Sequence, residues 1–284
     1  MAAILEVSGL RKSYGKFKLQ NISFAIPEDC ITGFIGANGA GKTTTIHSIL
    51  NLIHRDAGTI LFRGKDISVN EKQFKDKIGV VFDSGCFYDE LSLKEMSAII
   101  SRSYSNWDNR IFQQYLEMFS LQQEQTIGTL SKGMKMKYSL ALALSHNAEL
   151  LIMDEPTSGL DPLIREQFIN ILKKYMEPGS RAVFYSTHNT TDLDKAADML
   201  IMINAGAIVF EEDKDTLLEK FRIVKGDIKH LTPGMQALML HCDKSRYGFV
   251  GITDKPERIK QYGTDLLFER TTIEDIMLAY CKGA

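Results

Sequence analysis

Short apolar runs alternate with amphipathic stretches over most of this chain. The runs are rich in Ile, Val and Phe and end at Gly, Pro or Asn, which is the pattern of buried strands. They predict strands at 4–7, 17–26, 30–36, 58–64, 78–82, 149–153, 181–186, 200–204 and 206–211, the last two joined as a hairpin. Helices are predicted at 43–52 and 163–176 and within 92–146, where apolar residues recur at helical spacing. Buried strands that alternate with helices indicate an α/β fold with a parallel sheet covered on both faces.

The pattern of predicted elements changes after about residue 214, where the strands become short and scattered. The remaining predicted elements are a helix at 215–221, short strands at 221–225, 247–252 and 265–269, and a final helix at 272–281. We therefore expect a main domain over residues 1–214, with a helical subdomain at about 88–146, and a small α+β appendage over 215–284.

Composition excludes several classes of protein. The chain has 284 residues and a formal net charge of -2, so we expect no nucleic-acid partner. No apolar run approaches the roughly 18 residues of a membrane-spanning helix, so direct membrane insertion is not expected. The four cysteines form no CxxC pair, which favours a reduced cytosolic setting without disulfides or a zinc site.

The strongest motif is a glycine-rich loop that follows an apolar strand and opens a helix. It fits GxxxxGK[ST], and its candidate nucleotide-binding residues are Gly36, Ala37, Asn38, Gly39, Ala40, Gly41, Lys42, Thr43 and Thr44. Backbone N–H groups of such a loop and the helix N-terminus attract phosphate. Lys42 would carry positive charge to the β- and γ-phosphates, and Thr43 would offer its hydroxyl to Mg²⁺.

An acidic pair ends another apolar strand, at Asp154 and Glu155. Ligands bind at the carboxyl ends of parallel strands, so both acids should lie beside the phosphate loop. Consecutive strand residues point to opposite sides. Asp154 can therefore hold the Mg²⁺ shell while Glu155 orients or deprotonates the attacking water.

Several further stretches resemble one family, the ABC ATPases. The segment Thr129-Leu-Ser-Lys-Gly-Met-Lys135 is similar to the LSGGQ-type signature, and it precedes the strand of Asp154 as it does in that family. The other matching stretches, in order, are Leu10-Arg-Lys-Ser-Tyr14-Gly, Ser158-Gly-Leu-Asp161-Pro and Ser186-Thr-His188. The resemblance covers roughly residues 3–215 and implies a P-loop NTPase core of the ABC ATPase type.

The resemblance implies an ATPase with ATP and Mg²⁺ as ligands. Tyr14 would stack on adenine and His188 would contact the γ-phosphate. Ser131 and Gly133 would cap the γ-phosphate bound to a second copy of the chain, and Asp161 would hold the opposing site in register. Membrane permease subunits would be the other partners, so we expect a cytoplasmic protein that lies peripherally on the cytosolic face of the membrane.

The chain departs from the family at two places that bear on chemistry. Asp83 stands where Gln is usual, and we expect it to keep a metal contact while making the site more dependent on Mg²⁺. Lys132 and Met134 replace Gly and Gln in the signature. We expect three helix lysines, Lys132, Lys135 and Lys137, to be solvated rather than to contact ATP.

Two features leave alternatives open. Phe87 and Tyr88 follow the Asp83 strand, and they would either meet a helix of the membrane subunit or be buried in the helical subdomain. The ending at 270–280 resembles that of drug- and antibiotic-resistance-type exporter ATPases, which favours export and leaves the cargo open.

A soluble ABC ATPase that acts on ribosomes or DNA is the alternative to a transport ATPase. Only one phosphate loop is present and no coiled-coil insertion is seen, so transport is favoured. A P-loop kinase would leave the signature, Asp161 and His188 unexplained.

Overall fold

The structure is a computed structural model that describes residues 2–15, 17–83, 86–263 and 265–282. Its strands are β1 (Ala3–Tyr14), β2 (Phe17–Pro27), β3 (Ile31–Ile35), β4 (Ala57–Phe62), β5 (Lys65–Asp66), β6 (Ile78–Phe82), β7 (Leu150–Asp154), β8 (Ala182–Thr187), β9 (Met199–Asn204), β10 (Ala207–Asp213), β11 (Arg222–Gly226), β12 (His241–Lys244), β13 (Phe249–Thr253) and β14 (Leu267–Arg270). Its helices are α1 (Lys42–Ile49), α2 (Glu71–Lys77), α3 (Leu93–Ser101), α4 (Asn109–Met118), α5 (Lys132–Leu144), α6 (Pro162–Met176), α7 (Thr191–Ala196), α8 (Lys214–Lys220), α9 (Pro233–Gln236), α10 (Pro256–Lys260) and α11 (Ile273–Lys282).

The central sheet carries the strands that end at the candidate site. Its order is β10-β9-β3-β8-β7-β6, with β9, β3, β8, β7 and β6 parallel and β10 antiparallel to β9. Every residue of β3, β7 and β8 is buried, as expected for strands covered on both faces. The predicted parallel sheet is confirmed, and so is the hairpin at Ala205-Gly206, where both residues have positive φ.

A second, antiparallel sheet of order β2-β1-β4-β5 packs against the central one. Three rings join the two layers: Phe24 of β2 lies 5.7 Å from Phe34 of β3 and 5.6 Å from Phe184 of β8, centroid to centroid. The predicted strand at 4–7 was too short, because Ser8-Gly9 has the composition of a turn. Here the strand continues through a register shift between Val7 and Leu10, with Gly9 at φ 63°.

The helical region between β6 and β7 is organised around Tyr138 of α5. This residue is fully buried, and its hydroxyl donates to the Leu93 carbonyl at 2.9 Å. The Phe87 ring lies 5.2 Å from the Tyr138 ring, whereas Tyr88 is 66% exposed. The two aromatic residues therefore have different environments: Phe87 packs in the helical region and Tyr88 faces outward.

The C-terminal part has its own sheet but shares the main core. The sheet has the order β12-β13-β11-β14 and encloses a small cluster centred on Val224, Met235, Phe249 and Ile259. Helices α8 and α11, however, bury their apolar residues in the same cluster as the central sheet. The Tyr280 ring of α11 lies 5.8 Å from that of Phe210 in β10. The apolar core is thus continuous across residue 214.

Candidate functional site

Four neighbouring strands end at one edge of the central sheet, and the motif residues follow them directly. In the register, Ile35 of β3 is opposite Thr187 of β8, and Asp154 of β7 is opposite both Ser186 and Phe82. The loops after these strands surround a cavity of about 640 Å³. It is lined by Phe17, Asn38, Gly39, Gly41, Lys42, Thr43, Thr44, Asp83, Asp154, Glu155, Ser158 and His188.

The glycine-rich loop passes into α1 at Gly41, whose φ of 119° is accessible to glycine alone without strain. A methyl group there would also lie 2.8 Å from Cδ2 of Leu19. The first turn of α1 contains no acidic residue, and N–H groups of a first turn lack partners within the helix. These features make the start of α1 a suitable cradle for phosphate.

Lys42 is buried at this helix start, with only 6% of its surface exposed. Its Nζ donates to the Gly36 carbonyl at 2.7 Å and lies 3.4 Å from Oε1 of Glu155. A buried ammonium needs such partners, since burying an unpaired charge is costly. Lys42 therefore stands between the phosphate loop and the candidate base.

The acidic pair diverges at the end of β7, as the sequence suggests. Asp154 is 7% exposed and accepts a hydrogen bond from the Ser186 hydroxyl at 2.9 Å. Glu155 adopts a left-handed conformation with φ 51°. Its Oε2 lies 2.8 Å from Nδ1 of His188 and accepts the His188 backbone N–H at 3.3 Å. Glu155 is thereby held between Lys42 and His188.

The residues fit Mg²⁺ only together with a nucleotide. Among the described residues, no group of three or more His, Cys, Asp or Glu side chains could hold a metal ion. Mg²⁺ is typically bound by one or two carboxylates plus substrate phosphates. Asp154, Asp83 and the Thr43 hydroxyl face the same cavity and supply such an incomplete ligand set.

Two lysines of α5 form ion pairs with the segment after β6 that the sequence did not predict. Lys132 forms an ion pair with Asp83, and Lys135 forms one with Asp89 at 2.7 Å. Both lysines are partly exposed but ion-paired, and the expectation that they do not contact ATP stays a prediction. The side chains of α5 reach back to the loop after β6, which a helical pattern in the sequence does not reveal.

Seven predicted residues are not among those that line the cavity: Tyr14, Gly36, Ala37, Ala40, Ser131, Gly133 and Asp161. Ser131 is the N-cap of α5 and accepts the Met134 N–H at 3.2 Å, while Asp161 is the N-cap of α6 and accepts the Ile164 N–H at 3.0 Å. A methyl group on Gly133 would lie 2.9 Å from Cδ1 of Ile164, so glycine permits the close approach of these two helix starts. Ser131, Gly133 and Asp161 therefore lie at two neighbouring helix starts rather than in the cavity lining.

The aromatic residue at the cavity is one that the sequence interpretation missed. Phe17 lines the cavity, whereas Tyr14 lies opposite it across the β1–β2 hairpin and is 47% exposed. The Lys12 ammonium lies 5.0 Å from the Tyr14 ring centroid. Adenine stacking by Tyr14 stays a prediction, and Phe17 is a second candidate. Its signal was available, since an aromatic residue begins the second strand of the hairpin.

A buried polar network behind the site was also missed. The Asp192 carboxylate accepts hydrogen bonds from the Thr157 hydroxyl at 2.6 Å and from the Tyr185 hydroxyl at 2.9 Å. All three residues are at most 5% exposed. Thr157 follows Glu155 by two positions and Asp192 follows His188 by four, so the network ties the loops of these two residues together.

Comparison with known proteins places this geometry in a family. A sequence model of the family described as ABC transporter matches residues 19–158. The bacitracin transport ATP-binding protein of Bacillus licheniformis is 32% identical over 225 residues, 78% of this chain and 74% of that protein. The chain belongs to the ABC transporter family of ATP-binding proteins.

Other likenesses extend this result. The Nod factor export ATP-binding protein I of Burkholderia lata is 26% identical over an alignment that covers 97% of this ABC protein and 96% of the relative. A solved ATP-binding subunit of an ABC transporter superposes with a TM-score of 0.69 at 24% identity, covering 76% of this chain and 92% of that one, which supports the fold.

This ABC protein is an ATP-binding and ATP-hydrolysing subunit of a transporter. The relatives are transport proteins, so the alternative of a ribosome- or DNA-acting ATPase has no support here. Within the ranges that the structure describes, no helix is both long and apolar enough to cross a bilayer.

Proposed function

We propose that two copies of this chain clamp Mg²⁺-ATP between the phosphate loop of one copy and the signature helix of the other. The observation that carries the proposal is the convergence of Lys42, Glu155 and His188 at one cavity. Ser131 and Gly133 start a second helix outside that cavity. That start is another anion-binding helix N-terminus, and it is available to a nucleotide held by a second copy.

Within each site, the proposed roles follow from the contacts. The N–H groups from Gly36 to Thr44 and the Lys42 ammonium would hold the phosphates. Thr43, Asp154 and Asp83 would hold Mg²⁺, which supplies charge neutralisation of the phosphates when bound. Reaching a phosphate draws Lys42 away from Glu155. The carboxylate of Glu155 then becomes available to orient and deprotonate the attacking water, with His188 beside it.

We further propose that the transported substrate leaves the cell. The bacitracin transport and Nod factor export proteins are the basis for this direction. Permease subunits would provide the path across the membrane, and this chain would lie on the cytosolic face. The division into an ATPase domain at 1–214 and an appendage at 215–284 belongs to the same proposal.

Glu155→Gln tests the clamp. The variant should bind ATP, hydrolyse it about 10²- to 10⁴-fold more slowly because the general base is lost, and accumulate as a dimer. Size-exclusion chromatography with saturating Mg²⁺-ATP measures the dimer. A matched control, Glu155→Gln combined with Lys42→Ala, should stay monomeric because nucleotide is not retained. Monomeric Glu155→Gln with ATP demonstrably bound would contradict the proposal.

Export of a bacitracin-class peptide, the cargo that the name of one relative suggests, needs a separate experiment. In the source organism, replacement of the native gene by the Glu155→Gln allele should raise sensitivity to bacitracin-class peptides. Equal growth of both strains over a range of peptide concentrations would exclude that class of cargo and leave the ATPase assignment untouched.

A further inference from the structure

The ion pair between Lys132 and Asp83 joins two parts of the molecule that are far apart in sequence. Asp83 follows β6 and lines the nucleotide cavity, while Lys132 is the first residue of α5. The Lys132 side chain also runs past Gly159, where a methyl group would lie 3.6 Å from Nζ. The ammonium therefore lies at the rim of the cavity, between the loops after β6 and β7.

The position of Lys132 is electrostatically unfavourable for the helix. A cation in the first turn opposes the helix dipole, and α5 has no acidic residue in that turn to offset it. The ion pair with Asp83 supplies the missing negative charge from another part of the chain. Both residues are departures from the neutral Gln and Gly that are usual in the family.

Asp83 is also electrostatically unfavourable where it lies, because it carries negative charge. Its carboxylate faces a cavity proposed to hold the negatively charged phosphates, and like charges brought together weaken binding. A neutral amide at this position would not repel ATP. One ammonium beside one carboxylate restores that neutrality, so the two departures offset each other.

We propose that Lys132 is a positioning residue of the nucleotide site, whose ammonium neutralises Asp83 and keeps that carboxylate at the rim of the cavity. The proposal rests on the proposed ATP site. It also changes the expectation for Mg²⁺: with Lys132 present, Asp83 adds less negative charge at the phosphates than the sequence alone suggests.

Three variants distinguish the effects of the two charges on ATP affinity: Lys132→Gln, Asp83→Asn and the double variant. ATP affinity is measured by titration calorimetry in EDTA, at low salt and dilute protein, so that neither metal nor dimerisation contributes. Lys132→Gln should weaken ATP binding about fivefold, the size expected for loss of a half-exposed ion pair. The double variant should return to within about twofold of wild type, because the uncompensated carboxylate is gone. The deficit of Lys132→Gln should also shrink at high salt.

Lys135→Gln is the matched control, since Lys135 lies on the same helix and pairs with Asp89, which is not among the cavity-lining residues. It should leave ATP affinity unchanged and alter thermal stability as little as Lys132→Gln does. Unchanged affinity in Lys132→Gln, or a double variant as weak as that single variant, would overturn the proposal. Absence of ATP binding by the wild-type chain would instead refute the proposed site itself.

Discussion

Removing the Tyr185 hydroxyl, by Tyr185→Phe, takes one donor away from the buried carboxylate of Asp192. The ring stays in place, so packing in β8 is preserved. A hydrogen bond to a charged group contributes about 1.5–3 kcal/mol, and Asp192 is only 5% exposed, so water cannot replace the lost donor. We expect Tyr185→Phe to lower the free energy of unfolding by about 2 kcal/mol.

Tyr138→Phe provides the comparison. The Tyr138 hydroxyl is equally buried, but it donates to a neutral backbone carbonyl, a bond that contributes about 1 kcal/mol. With a urea m-value of about 3 kcal/mol/M, the unfolding midpoint should fall by about 0.7 M for Tyr185→Phe and about 0.3 M for Tyr138→Phe.

Activity gives a second readout of the same change. The network connects the loops of Glu155 and His188, whose side chains lie 2.8 Å apart. Loosening it should lower kcat by about tenfold with little change in KM for ATP, because small displacements of catalytic groups are costly while the phosphate loop is untouched. Tyr138→Phe should not change kcat. If Tyr185→Phe shifted the midpoint no more than Tyr138→Phe and kept full kcat, the assigned charge-assisted bond would be wrong.

Three further outcomes are expected. Lys42→Ala should weaken ATP binding about 10- to 100-fold in an equilibrium titration, because the buried cation proposed to meet phosphate is lost; unchanged affinity contradicts the loop assignment. Asp154→Asn should raise the Mg²⁺ concentration for half-maximal ATPase activity about tenfold, and an unchanged requirement would exclude it from the metal shell. Burial lowers the pKa of His146, although hydrogen bonds to the backbone carbonyls of Leu142 and Ile78 act in the opposite direction. As pH falls, His146 is therefore protonated in the unfolded chain before it is protonated in the folded one. Stability should therefore be lost as pH falls below about 6.5, and in urea titrations this slope should be smaller for His146→Gln.

Much of the site was predictable because its residues are carried by local motifs. The loop from Gly36 to Thr44 and the pair Asp154-Glu155 each combine a strand ending with a characteristic composition. The rule that parallel strands present ligands at their carboxyl ends then brings them together without any knowledge of distances.

The missed features depend on contacts between distant segments. Lys132 meets Asp83, and Asp192 meets Thr157, only because strands β6, β7 and β8 are neighbours in the sheet. Nothing in the local pattern of either residue indicates its partner. Helix α2 was missed for another reason: Phe74 is its one buried residue, so it has no apolar periodicity to detect.

The shared packing of α8 and α11 with the central sheet has a practical consequence. Ending the chain at residue 214 would uncover Leu200 and Met202 of β9 on the side where Ile276 and Phe221 belong to the same apolar cluster. Such a fragment would expose an apolar patch and would aggregate, so residues 1–214 alone would not give a usable ATPase domain. Because α8 and α11 share this cluster, a displacement of β9 would also move these two helices.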